Sequence, residues 1–172
     1  MDKSLLNNPT LARIVADISG DGHLQIQEWR HLVSFYSKNM AEIEAVKKRF
    51  LNVFNVEGRV YFDNRKTKGV ETPRYKLFFI SKPVATFLRD VGTPVGNKTN
   101  IAFWIPRWVM NGRREVKAAY LRGLFDCEGS IFCRNTLKPR WQIGFCMIKN
   151  ETLIESGLLY FKQIRELLTQ FK

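Results

Sequence analysis

Asn8 and Pro9 precede a stretch in which apolar residues return every three or four positions up to Gly20, the start signal and period of a helix. The period then falls to two. Leu24 and Ile26 alternate with His23, Gln25 and Gln27, which predicts a half-buried strand with His31 to Ser37 as its hairpin partner. From Ala41 helical spacing resumes at Ile43, Val46, Phe50, Leu51 and Phe54, and Glu42, Glu44, Lys47, Lys48 and Arg49 take the other face, closing near Asn55. Two more strands are expected over Gly58 to Arg65 and Arg74 to Ile80, around the turn Lys66-Thr67-Lys68-Gly69, and a short helix over Lys82 to Val91. On these strands one alternate set is polar or basic (Arg59, Tyr61, Asp63, Arg65, Arg74, Lys76), and the other, with Val60, Phe62, Tyr75 and Leu77, is apolar. Such a sheet can pack one face on helices and present a basic face to a DNA groove, although basic strands also serve as ordinary solvated surface.

Residues 92–112 contain Pro94, Gly96, Pro106 and the aromatic cluster Phe103, Trp104 and Trp108, follow neither period, and read as a packed linker. A second series follows: a helix over Arg114 to Cys127, strands over Ser130 to Asn135 and Arg140 to Ile148, and a helix from Glu151 nearly to Lys172. Arg134, Arg140 and Gln142 are its DNA-facing candidates, as His23, Gln25, Gln27, Arg59, Tyr61, Arg65, Arg74 and Lys76 are for the first. The chain therefore divides into units 1–91 and 113–172 joined by 92–112. Against the first unit's order, helix, two strands, helix, two strands, helix, the second lacks its last two strands and helix.

The two units share a register. With Asp21 over Glu128, small residues coincide at Ala12, Ala16 and Gly20 and at Ala119, Gly123 and Cys127, each four apart and so on one helix face. Two such stripes allow close backbone approach, which predicts that the helices pair. Each copy ends in a carboxylate followed by glycine, Asp21-Gly22 and Glu128-Gly129, and the glycine reads as a helix stop. Parallel helices would set the carboxylates side by side at C-termini that already carry partial negative charge, and a hard cation such as Mg²⁺ resolves the repulsion. Such ions serve phosphodiester hydrolysis. Lys38-Asn39 and Lys149-Asn150 each stand between a strand and a helix, so both lysines are candidates to stabilise charge on a scissile phosphate, or are plain surface lysines.

Charge narrows the partner. There are 28 Lys and Arg against 16 Asp and Glu, a net charge of +12, which favours a polyanion. Cys127, Cys133 and Cys146 form no Cys-x-x-Cys pair, and with only His23 and His31 as imidazoles a zinc site is disfavoured. No apolar run reaches membrane-spanning length and no signal-peptide core follows Met1, so an intracellular protein is expected, cytoplasmic in a prokaryote or organellar.

Ile14 to Gly22 and Leu121 to Gly129, the latter reading Leu-Arg-Gly-Leu-Phe-Asp-Cys-Glu-Gly, resemble paired copies of the LAGLIDADG motif of homing endonucleases. Phe35-Tyr36-Ser37-Lys38, the segment Gly92-x-Pro94-x-Gly96-x-Lys98 and the repeated unit order extend the resemblance over nearly the whole chain; Asp17 and Ser19 depart from the usual motif pattern. The resemblance implies an α+β fold of two pseudo-symmetric units with paired motif helices and basic antiparallel sheets. It implies Asp21 and Glu128 as metal-binding carboxylates, assisted by backbone carbonyls near Gly20 and Cys127, and Lys38 and Lys149 near the scissile phosphates. It assigns no catalytic role to Lys98. The implied activity is Mg²⁺-dependent double-strand cleavage by a monomer at a long asymmetric DNA site, leaving short 3′ overhangs, in a protein encoded in an intron or intein. The alternatives are a maturase that binds intron RNA, a non-catalytic DNA-binding regulator, or a basic structural protein.

Overall fold

In the computed structural model, which describes residues 3–67, 70–135 and 137–171, the Asn8 side chain accepts the Thr10 N–H at 2.8 Å and opens helix α1 (Pro9–Ser19). The hairpin β1 (His23–Gln27) and β2 (Arg30–Ser37) follows, then α2 (Met40–Phe54), capped by Asn39 and closed by Asn55 in the left-handed region at φ 52°. β3 (Arg59–Thr67), β4 (Val70–Ile80) and α3 (Lys82–Asp90) complete the first unit. The linker holds one 3-10 turn at Lys98–Asn100 and the short α4 (Arg107–Met110). The second unit consists of α5 (Arg114–Glu128), β5 (Gly129–Cys133), β6 (Trp141–Phe145) and α6 (Ile154–Thr169). The expected α+β class holds.

The first sheet is antiparallel throughout, in the order β1-β2-β4-β3. Its register separates two faces. Leu24, Val33, Phe35, Leu77 and Phe79 are buried on one, against Ile43 and Phe50 of α2 and Val84 and Leu88 of α3, and the Phe50 and Phe79 rings stack with centroids 3.9 Å apart. His23, Ser34, Phe78 and Arg59 line up across the other, which therefore also carries Gln25, Tyr36, Lys76, Tyr61 and Arg74. The β3–β4 ribbon is longer than expected because Pro73 lies within β4, opposite Asn64 and past the end of β2, where β4 has a neighbour on one side only and a missing N–H breaks no ladder. Lys68 and Gly69 of the expected turn lie outside the described residues, as does the Arg65 side chain.

The second sheet is shorter than expected. It pairs only β5 with β6, and Arg134 and Arg140 fall in the connection, where the Arg134 N–H donates to the Arg140 carbonyl at 3.1 Å. Ile131 faces Ile143 as Leu24 faces Val33, yet these isoleucines are 72% and 71% exposed. In the first unit α3 packs on β1 and β2; among the described residues the second unit has no counterpart of α3.

α1 and α5 pair in parallel along the small-residue stripes. A Cβ on Gly123 would lie 2.6 Å from the Ala16 Cβ, and one on Gly20 would collide with Cys127, so the contacts repeat the 107-residue offset of the sequence. The glycines after the carboxylates are not left-handed stops: Gly92 and Gly96 are the described glycines with positive φ, whereas a Cβ on Gly22 or Gly129 would run into Phe35 or the Phe125 carbonyl. Steric approach keeps them.

Asp17 enters this apolar interface as a charge. It is 3% exposed and takes Arg13 Nε and Arg49 Nη2, each at 2.7 Å, while Arg13 Nη1 reaches Asp126 of α5 at 2.7 Å. One buried carboxylate thus ties three helices. Asp17→Ala leaves both guanidiniums without it and is expected to cost about 3–5 kcal/mol in urea unfolding, because a half-broken buried pair keeps its desolvation penalty. An unchanged midpoint would mean the cluster is no more than surface charge.

Candidate functional site

The two carboxylates stand where α1 and α5 end, Asp21 two residues after α1 and Glu128 as the last residue of α5. Their charges disfavour one another: burial raises the pKa of Glu128, and Asp21 raises it further. Burial likewise raises Asp21, opposed by a hydrogen bond with the Cys127 side chain and by the charge of Lys98, and Glu42 pushes it up again. Burial in turn lifts the Cys127 thiol to about 12, so it stays protonated beside the carboxylate.

Lys98 is the residue that sequence reasoning left without a role. Its ammonium donates to the carbonyls of Ile18 at 3.0 Å, Gly22 at 2.8 Å and Gly20, and the charges of Glu128 and Asp21 partly offset the burial that lowers its pKa. A cation therefore already sits among the oxygens gathered at the end of α1. The chain path that delivers it is non-local: Gly96, at φ 86°, donates its N–H to the Leu24 carbonyl at 2.8 Å and docks the linker on β1. The Gly-x-Lys at 96–98 was the visible signal.

These oxygens suit a hard divalent cation. Carboxylate and backbone carbonyl oxygens are the donors that Mg²⁺ or Mn²⁺ takes, and the Lys98 bonds show that the carbonyls of Ile18, Gly20 and Gly22 are turned toward a positive charge. Without a cation, the raised pKa values have a measurable sign. A carboxyl that binds its proton more tightly folded than unfolded stabilises fully below its unfolded pKa, and that stability is lost as pH rises through the folded pKa. The metal-free protein should therefore gain thermal stability as pH falls from neutral into the ordinary carboxylate range, and an Asp21→Asn, Glu128→Gln double variant should show a flatter dependence. Identical melting profiles would refute the assignment.

The remaining candidates are dispersed. Lys38 is exposed at the β2–α2 junction. Lys149 is half-buried, and its Nζ donates to the carbonyls of Lys98 at 2.6 Å and Ile101 at 2.7 Å. The two lysines are 111 residues apart instead of 107, and they are not equivalent: Lys38 follows β2 directly, Lys149 follows β6 after three intervening residues. His23 is half-buried next to the site, with burial and then Lys98 lowering its pKa. Gln25, Gln27, Arg59, Tyr61, Arg74 and Lys76 spread over the open sheet face, where the Arg74 guanidinium lies 4.1 Å from the Tyr36 ring centroid and takes Asp63 at 3.0 Å. Gln142 is half-buried in β6, and Arg134 and Arg140 are exposed beside it. Lys76 also lies over Tyr36, at 5.5 Å. Basic and aromatic side chains thus interleave on one surface.

No protein-family model matches the chain. In sequence it is similar to segments of the tRNA-splicing ligase RtcB of Pyrococcus abyssi (30% identical over 94% of this chain and 18% of the ligase) and of two proteins of Methanocaldococcus jannaschii. These are the replication factor C small subunit, 28% identical over 94% of this chain and 9% of that one, and glutamine–fructose-6-phosphate aminotransferase, 29% over 95% and 13%. The chain spans less than a fifth of the length of these curated relatives. In structure it is similar to I-DmoI in complex with DNA and Mn, with TM-score 0.52 and 16% identity over 90% of this chain and 76% of that one. It is also similar to the homing endonuclease I-WcaI bound to its DNA recognition sequence, with TM-score 0.51 and 17% identity over 77% and 56%. The identities are too low to carry residue roles, but the element order, the α1–α5 pair and the sheet topology agree with the reading of the motifs: the chain has the fold of the LAGLIDADG homing endonucleases.

Proposed function

We propose that this chain is a site-specific, divalent-metal-dependent DNA endonuclease. The observation that carries the reading is the pair Asp21 and Glu128, one from each unit, at the ends of two helices packed in register, with a cation drawn among the oxygens beside them. Asp21, Glu128 and the Gly20 carbonyl would hold Mg²⁺, with the Cys127 carbonyl as a further donor by resemblance. The ion would supply activation of an attacking water and stabilisation of the leaving oxygen. Lys98 offsets negative charge where the scissile phosphate would lie, and the basic face of the first sheet tracks the groove. Both carboxylates come from one polypeptide, which suits a monomer acting on an asymmetric site and leaving short 3′ overhangs.

The relatives point the same way by their diversity. A tRNA-splicing ligase, a replication factor subunit and an aminotransferase share no named activity, yet the segment each shares with this chain covers nearly all of it. What the relatives share is therefore the segment itself, and ligation or amino transfer is not carried over. Because the relatives hold the segment within their own polypeptides, an intein-type element is favoured over an intron-encoded one. The test is cleavage of a randomised duplex library with Mg²⁺ beside an EDTA control, the ends read by sequencing. Defined, EDTA-sensitive breaks are expected; sequence-specific binding without breaks would replace the nuclease with a regulator or maturase.

A further inference from the structure

The 98–100 turn that delivers Lys98 to the carboxylates is a single 3-10 turn, too short to hold its own position. It is fastened at two ends. On the first unit's side the Gly96 N–H binds the Leu24 carbonyl. On the second unit's side the backbone of the turn is held, among the described residues, by hydrogen bonds from the junction between β6 and α6. There, Lys149 Nζ donates to the carbonyls of Lys98 at 2.6 Å and Ile101 at 2.7 Å, bracketing the turn, and lies 4.0 Å from the centroid of the Phe103 ring. The Asn150 N–H donates to the Thr99 carbonyl at 3.1 Å, and Asn150 Nδ2 donates to Asn100 Oδ1 at 2.5 Å. Phe103 is itself wedged against Tyr160 of α6, centroids 5.0 Å apart.

An ammonium has three N–H donors. In Lys149 two are committed to carbonyls and the positive charge rests on an aromatic face, an arrangement that fixes a loop and leaves little for a phosphate. We propose that Lys149 is a positioning residue that acts through Lys98, clamping the linker turn so that the Lys98 ammonium is held at the carboxylate pair. The inference rests on the proposed reading of that pair as the site of chemistry. It replaces direct action of Lys149 on the DNA with mechanical action across the two units.

The test compares Lys149→Met, which keeps the length and removes the donors, with Lys149→Arg, which keeps charge and two or more donors. The first readout needs no activity: acylation of Lys98 by an N-hydroxysuccinimide ester in the metal-free, DNA-free protein, followed by peptide mass spectrometry. Lys149→Met is expected to raise the Lys98 labelling rate roughly tenfold, the effect of losing a bond of about 1.4 kcal/mol, and Lys149→Arg to restore most of the protection. The second readout is single-turnover cleavage in a double-mutant cycle with Lys98→Met. If Lys149 works through Lys98, the double variant cleaves no more slowly than Lys98→Met alone, and DNA affinity is unchanged. Unaltered Lys98 labelling in a folded Lys149→Met protein, or additive losses in the cycle, would overturn the proposal. A wild-type chain that cuts no DNA while its labelling pattern follows expectation would instead sink the nuclease reading and leave the clamp standing.

Discussion

Asp21→Asn and Glu128→Gln are each expected to reduce cleavage by on the order of 10³-fold while leaving DNA affinity within a factor of a few. The amide keeps the shape and half the acceptor capacity of the carboxylate but loses its charge, so it no longer competes for a dication against water. Binding survives because the basic sheet face that would meet the phosphate backbone spans β1 to β4, and neither substitution removes a positive charge from it. Neither variant should lose stability. Both groups are raised by burial and Glu128 further by Asp21, so removing one charge relieves the other. Single-turnover kinetics beside a fluorescence-anisotropy titration decides the matter. Cleavage that persists in both variants would remove the pair from the chemistry.

Gly123→Val should cost stability on a comparable scale of severity. The added Cβ meets Ala16 Cβ at 2.6 Å, with Arg13 Cδ at 3.1 Å and the Arg13 carbonyl at 3.3 Å, and the backbone atom among these cannot step aside. α1 must then retreat from α5, which also opens the Asp17 cluster and parts the carboxylates at the helix ends. Overpacking of this kind costs about 1–3 kcal/mol, and at roughly 2–4 °C per kcal/mol for a chain of this size the melting temperature should fall by up to about 12 °C. Cleavage should fall with it even at temperatures where the variant is folded. Ala118→Val is the control, since Ala118 lies on the same helix but is exposed and off the stripe. Equal melting temperatures for Gly123→Val and wild type would show that the helices do not meet along this stripe.

Features fixed by local pattern were legible in the residues. The period change after Gly20, the alternation of Arg59, Tyr61 and Asp63 with Val60 and Phe62, and the Asn8-Pro9 start each reappear in the fold, because sheet faces and helix caps depend on neighbours a few positions away, although Phe62, on the face expected against helices, is 63% exposed. The pairing of α1 with α5 was also visible, since a repeat supplies long-range information that a single helix lacks. What failed was decided by distant partners. Pro73 fits within β4 only because β2 has already ended, and among the described residues β5 and β6 pair only with each other. Asp17 looks like a motif irregularity until Arg49, 32 residues away, closes on it. Lys98 could not be placed from its own neighbourhood, because its position depends on a linker bonded to β1 at one end and to the β6–α6 junction at the other.

The linker's single lysine has a consequence for symmetry. The carboxylates come in a matched pair, but two units need only one connection, so the ammonium that faces both Glu128 and Asp21 exists once. A symmetric assembly of two identical half-proteins has no counterpart to it: such an assembly carries either no linker lysine or two contending for the same oxygens. Joining the two units in one chain is therefore more than a matter of linkage. It is the step that lets an odd number of charges occupy a nearly two-fold centre, and any design that restores perfect symmetry to this scaffold gives that up.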